Sequence, residues 1–209
     1  NYIELHFYQD ILPGYFWIFP LPNGQANVGI GMLYSEISKR KIDLKAKLEE
    51  IISKHPKVKD RFKNASPLEK PRGFGIPLGK KKKSISGERY ILLGDAANLV
   101  DPFTGEGIGN AIRSGRLAAK HILDAFQLKK FDSKFNYNYD KLIYNAVWKE
   151  LKLSASLLKM LKYPWLFNWV VKKASTNPSI QLLMTSMLDD VDLKKELVKP
   201  SFYFKLIFK

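Results

Sequence analysis

Asp95 stands where a carboxylate can do chemistry. It follows a short apolar run, Tyr90-Ile91-Leu92-Leu93, and precedes two small residues, Ala96 and Ala97. A strand that ends in Gly94-Asp95 delivers the carboxylate to a sheet rim, where it can accept hydrogen bonds from the hydroxyls of a sugar or polyol. Further on, Gly105-Glu106-Gly107-Ile108-Gly109 opens a helical pattern, with Pro102 in the connecting loop. Glycines at a helix start leave amide N–H groups able to face an anion or an electron-rich ring edge, and the helix dipole adds to their pull. Gly94, Asp95, Ala96, Pro102, Gly105, Glu106, Gly107, Ile108 and Gly109 are therefore the candidate cofactor-binding residues. On residue types alone, an ordinary strand–loop–helix accounts for the segment nearly as well.

A second constellation lies near the start. Tyr15-Phe16-Trp17-Ile18-Phe19-Pro20 alternates, so Tyr15, Trp17 and Phe19 project to one face of a strand. Gly29 and Gly31 fall on the next strand and leave a smooth strip of backbone. An aromatic wall beside that strip predicts a flat apolar slot for a planar ring or a prenyl chain. Core packing of a sheet is the plainer use of the same residues. Arg72, in Pro71-Arg72-Gly73-Phe74-Gly75-Ile76-Pro77, could pair with a diphosphate or a developing negative charge, and is equally readable as a surface arginine.

The elements that must position these residues follow from periodicity. Residues 3–8, 15–20 and 26–32 read as strands, with turns at Pro13-Gly14 and Pro22-Asn23-Gly24. A helix is expected from Glu36 to Lys54, burying Ile37, Leu44, Leu48, Ile51 and Ile52, and ending at His55-Pro56. Residues 66–79 read as extended, and Lys80 to Lys83 as a basic turn. Residues 90–93 read as a fully buried strand. The helix from Gly105 to Phe126 should place Ile108, Ala111, Ile112, Ala118, Ala119, Ile122 and Leu123 inward. Gly115, Ala118 and Ala119 should allow close packing on a sheet. Beyond Tyr139 the chain reads as a helical tail broken at Pro164, Pro178 and Pro200. The pattern predicts an α+β or α/β fold: an antiparallel substrate-domain sheet, one strand–loop–helix of a cofactor domain, and a C-terminal helical region. The expected divisions are 1–88, 89–126 and 127–209.

Composition narrows the classes. There is no cysteine, so disulfides, thiolate metal sites and a cysteine nucleophile are excluded. His6, His55 and His121 lack ligand-like spacing, and no metal site is expected. Lys and Arg total 35 against 20 Asp and Glu, a formal charge of +15. That balance favours phosphate-bearing partners, and a lysine-rich background composition explains it as well. No apolar run reaches the roughly 18 residues of a membrane span. A cytoplasmic protein is expected, with a peripheral place on the inner membrane face as its extension and no nucleic acid as partner. The tail from Leu151 to Val171, with Met160, Trp165, Phe167 and Trp169, reads as a cover over a hydrophobic tunnel, an interfacial segment or a plain helix pair. The chain opens on Asn1 within an alternating pattern, which reads as a fragment.

The run GDAANLVDPFTGEGIGNAIRSGRLAA resembles the second flavin-binding motif of flavoprotein monooxygenases and reductases with the p-hydroxybenzoate hydroxylase fold. The resemblance implies that Asp95 contacts the ribityl chain of FAD and that the helix start beyond Pro102 points at the isoalloxazine. The pattern YxWxFP, eight residues, then GxG is similar to a motif of geranylgeranyl reductases that lines the cavity between flavin and isoprenoid. IELHFY and NVGIGM also resemble that family, so the likeness covers residues 1–126. It implies hydride transfer from reduced FAD to a carbon–carbon double bond of an isoprenoid, with NADPH or ferredoxin as electron donor. Tyr15 and Trp17 become the catalytic candidates, Tyr15 or a water supplying the proton. Tyr15, Trp17, Phe19, Gly29, Gly31 and Arg72 would line the substrate site. A monooxygenase acting on a hydrophobic substrate is the alternative within the superfamily, and a non-catalytic lipid- or partner-binding module the alternative outside it. No GxGxxG turn is present for the ADP half of FAD, so these residues alone are expected to hold flavin weakly or not at all.

Overall fold

The structure, a computed structural model, describes residues 2–161 and, beyond them, 163, 165, 168, 169, 172 and 175–178. The described residues form a mixed helix and sheet fold and fall into two compact units that divide after Gly75.

The first unit is built on an antiparallel sheet of β1 (Glu4–His6), β2 (Gly14–Pro20) and β3 (Ala26–Met32), in that order. The turn between β2 and β3 places Asn23 and Gly24 at positive φ, as a tight hairpin connection requires. Alternation along β2 puts Phe16 and Ile18 on the buried face, where they pack with Ile11, Leu48, Ile51 and Val58. Each such side chain contributes about 1.5–3 kcal/mol on burial. The single helix expected over 36–54 is two: α1 (Tyr34–Arg40) and α2 (Leu44–Lys54). Lys41 turns left-handed (φ 51°), and the Asp43 carboxylate then caps the next start by accepting from Lys45 N and Ala46 N. A good N-cap residue inside an apolar-periodic stretch starts a new helix. α2 ends at His55 before Pro56, as expected, and the one-turn α3 (Lys59–Phe62) follows. Residues 66–77 form no regular element.

In the second unit Leu78 makes one parallel bridge to Val100, and β4 (Ser86–Gly87) pairs antiparallel with β5 (Tyr90–Ile91). A 3-10 turn over Gly94–Ala97 leads to α4 (Ile108–Leu128) and α5 (Ser133–Met160). The core holds Ile85, Leu99, Tyr139, Ile143, Val147 and Leu151.

Two expectations here are corrected. The strand at 90–93 is not fully buried: Tyr90 is 52% and Leu93 41% exposed, because the ribbon is only two residues long. The inward face of α4 is also not the one that branched residues mark. Ser114, Ala118, His121 and Ala125 are buried, whereas Ile108, Ile112, Ala119, Ile122 and Leu123 lie exposed. Gly115 has nothing within 4 Å of a side-chain position, so the expected close packing there is absent among the described residues. Small residues at 114, 118 and 125 let neighbouring segments approach the α4 backbone. The break at Pro164 and Pro200, and Phe167 and Val171 of the tail, lie outside the described residues.

Candidate functional site

The substrate-side candidates gather on the face of β2 turned away from Phe16 and Ile18. Tyr15, Trp17 and Phe19 are half-buried, and their rings run as a row, with centroids 6.1 Å and 6.0 Å apart. Phe7 joins the row beside Tyr15 at 5.9 Å. Register pairs Tyr15 with Gly31 and Trp17 with Gly29. The glycine strip is not an open slot. A Cβ on Gly29 would sit 2.1 Å from Trp17 Cζ2, so the indole lies across Gly29, and Gly31 is in ordinary contact at 3.7 Å. Directly opposed cross-strand residues face each other closely, and glycine leaves room that a flat ring fills. Trp17 Nε1–H is held by Asn27 Oδ1 at 2.9 Å. What this face offers is the outer surface of an aromatic row seated on glycine. Arg72 is exposed in the irregular stretch, and no hydrogen bond or ion pair ties it to that row.

The cofactor-side candidates gather in the second unit. Leu93 is extended, and the chain turns at once through Gly94–Ala97, with Gly94 N–H donating to Ser114 Oγ of α4 at 3.0 Å. This throws Asp95 and Ala96 to the surface, both exposed. The Asp95 carboxylate leans on the start of α4: a Cβ on Gly107 would come within 2.7 Å of its Oδ1 and 3.2 Å of Val100 Cγ2. A side chain at 107 would have to displace that carboxylate and crowd Val100. Asp95 has no side-chain hydrogen-bond partner among the described residues, so both its oxygens are available to hydroxyl donors.

The row of free amides expected at the helix start is mostly engaged. Gly105 N–H donates to Asp101 O at 2.9 Å, and Gly109 N–H to Glu106 Oε1 at 2.7 Å. Glu106 stands three residues before Gly109 and closes the first turn, as acidic residues do at helix starts. The amide of Gly107 keeps no acceptor among the described residues. Pro102 is buried and Ile108 exposed. An exposed carboxylate, an uncapped amide and the small Ala96 beside them fit a ligand that carries hydroxyls next to an electron-rich group.

Sequence reasoning passed over Asp101. It is buried, and its Oδ1 accepts from Phe103 N, Thr104 N and Thr104 Oγ1 at 2.9, 2.9 and 3.1 Å. Asp-Pro followed by Thr is a legible signal for such a turn. Ser154, which donates to Asp101 Oδ2 at 2.5 Å, carries no comparable signal, being one serine inside a long helix. Among the described residues no group of three or more His, Asp or Glu could hold a metal.

Residues 1–73 match the family model described as the geranylgeranyl reductase catalytic domain. The chain is 32% identical over 197 residues to the digeranylgeranylglycerophospholipid reductase of Thermoplasma acidophilum, covering 94% of this chain and 43% of that protein. It is 37% identical over 121 residues to the menaquinone reductase of Mycobacterium tuberculosis, covering 57% and 28%. Among solved structures, a geranylgeranyl bacteriochlorophyll reductase-like protein of Thermoplasma acidophilum superimposes with a TM-score of 0.69 at 29% identity, over 94% of this chain and 50% of that one. The chain spans about half the length of the curated relatives it matches.

Proposed function

We propose, for a chain that belongs to the geranylgeranyl reductase family, that it serves an FAD-dependent enzyme reducing carbon–carbon double bonds of an isoprenoid lipid or lipid precursor. The observation that carries the reading is the Asp95 carboxylate set against Gly107 at the start of α4. That contact joins the two ends of the flavin-type motif in one place. The two relatives named above, reductases of digeranylgeranylglycerophospholipid and of menaquinone, support a polyprenyl substrate.

Bound FAD, when reduced, supplies a hydride to the double bond. The chain's own residues do the rest. Asp95 accepts hydrogen bonds from the ribityl hydroxyls, and the α4 start, through Gly107 N–H and the helix dipole, favours negative charge on the ring. Gly94, Ala96, Pro102, Gly105, Glu106, Ile108 and Gly109 shape the loop that lets the ligand approach. Tyr15, Trp17 and Phe19 give the prenyl chain a flat apolar surface, and Gly29 and Gly31 seat those rings. The Tyr15 hydroxyl is the candidate proton donor to the second carbon. Arg72 is the candidate partner for a phosphate on the substrate. Electrons come from NADPH or ferredoxin, and the basic surface serves contact with an anionic membrane face. The 209 residues by themselves hold FAD weakly or not at all.

The test is anaerobic. The whole protein, reduced with dithionite and given a geranylgeranyl lipid, should yield a product heavier by two hydrogens per bond reduced. A need for oxygen, or an oxygenated product, would replace the reductase by a monooxygenase.

A further inference from the structure

Between Asp101 and Gly107 the chain forms neither helix nor strand, so its shape is set by a few backbone hydrogen bonds and by side chains. Asp101 does most of this. Its Oδ1 takes the two amides and the hydroxyl of the following turn, its N–H donates to Glu106 O at 2.8 Å, and its carbonyl accepts from Gly105. The second carboxylate oxygen has one partner among the described residues, and it comes from elsewhere: Ser154 Oγ of α5, at 2.5 Å. Both residues are shut away from water, at 4% and 7% exposure. A buried carboxylate oxygen that loses its donor must regain one or reach solvent. The turn that Asp101 holds can reach solvent only by moving, and Gly107 with the Asp95 carboxylate lies at its far end.

We infer that Ser154 is a positioning residue for the flavin, acting through Asp101 to fix the loop that runs from Asp101 to Gly107. The inference rests on the flavin reading of Asp95. Helix α5 thereby governs cofactor retention without touching the cofactor, through one buried hydroxyl.

The test compares Ser154→Ala, Ser154→Thr and Tyr144→Phe in the whole protein, reading the FAD dissociation constant, amide exchange at Phe103 and Thr104, and thermal stability. Tyr144 is the control: its hydroxyl, on the same helix, bonds to the Lys83 backbone instead. Ser154→Ala should weaken FAD binding about tenfold and speed exchange of the two amides, while Ser154→Thr, which keeps the hydroxyl, stays near the parent. Tyr144→Phe should lower thermal stability and leave FAD affinity alone. Where the alanine variant does not fold, Ser154→Cys gives the same contrast with a weak donor on a slightly larger side chain. Should Ser154→Ala lose only stability, as Tyr144→Phe does, with affinity and exchange unchanged, the inference is wrong. Asp95→Ala separates the two ideas. If it leaves FAD affinity unaltered, the flavin reading itself fails, and the amide exchange still reports whether Ser154 holds the loop.

Discussion

Gly29 has room for a hydrogen and nothing larger, because the Trp17 indole lies where its Cβ would be, 2.1 Å away. Gly29→Ala must push the ring aside and strain the β2–β3 pair, at a cost of about 1–3 kcal/mol. Gly31, whose nearest ring atom is at 3.7 Å, should accept alanine with little loss. Urea unfolding of the two variants checks the contrast, and equal losses would mean that the ring does not hold this position. The sequence placed Trp17 and both glycines on one face, because alternation along a strand dictates faces. It could not say that one glycine is covered and the other merely touched, because alternation says nothing of side-chain rotamers. The same limit explains Glu106 and Gly109. Their spacing announced a helix start, but not that the glutamate would take the amide reserved for a ligand.

Elements are joined by contacts that local pattern does not contain. Arg61 on α3 grips Glu4 on β1 through two hydrogen bonds of 2.6 and 2.8 Å. The Arg61 guanidinium holds the Glu4 carboxyl below its ordinary value of 4.5. A depressed folded-state value means the contribution is present above about pH 4.5 and is lost as pH falls through the lowered value. Replacing Glu4 by Gln should therefore destabilise the protein at neutral pH by a small amount, the pair being partly exposed. The gap between variant and parent should close as the pH falls from about 4.5 through the lowered value. Urea midpoints across that range test it, and a gap that does not change with pH would contradict it. Sequence pattern located most elements and the faces of β2 and α2, but missed the buried face of α4. The strands at 14–20 and 26–32 stood out through alternation and an Asn-Gly turn. The buried side of α4 did not, since its small residues carry less apolar weight than the isoleucines opposite.

Charge is the property of the whole molecule that composition gives most directly, and the structure gives part of it a fixed place. The four lysines at 80–83 are exposed, and their turn is held against α5. Tyr144 Oη accepts from Lys83 N at 2.9 Å and donates to Lys83 O at 2.7 Å, while Lys82 Nζ lies 5.3 and 5.4 Å from the Tyr144 and Trp148 ring centroids. No described helix is long and apolar enough to cross a membrane. A held lysine cluster near anionic headgroups contributes about 1 kcal/mol per residue. The protein should float with anionic vesicles at low salt and be released as salt shortens the Debye length to about 3 Å near 1 M. Substituting glutamine at 80–83 should remove most of the binding. Flotation that is equal with neutral vesicles would dismiss the charged surface as the cause. Trp17 also marks the molecule spectroscopically. Its Nε1–H is tied to Asn27 and its lower face to Gly29, so the indole cannot tumble freely. A polyprenyl chain settling on its upper face would shift its fluorescence toward the blue and slow its quenching by acrylamide. Because Trp148, Trp165 and Trp169 also emit, the signal is read as the difference between the parent and Trp17→Phe, and no ligand-dependent difference would count against a prenyl chain lying on this strand.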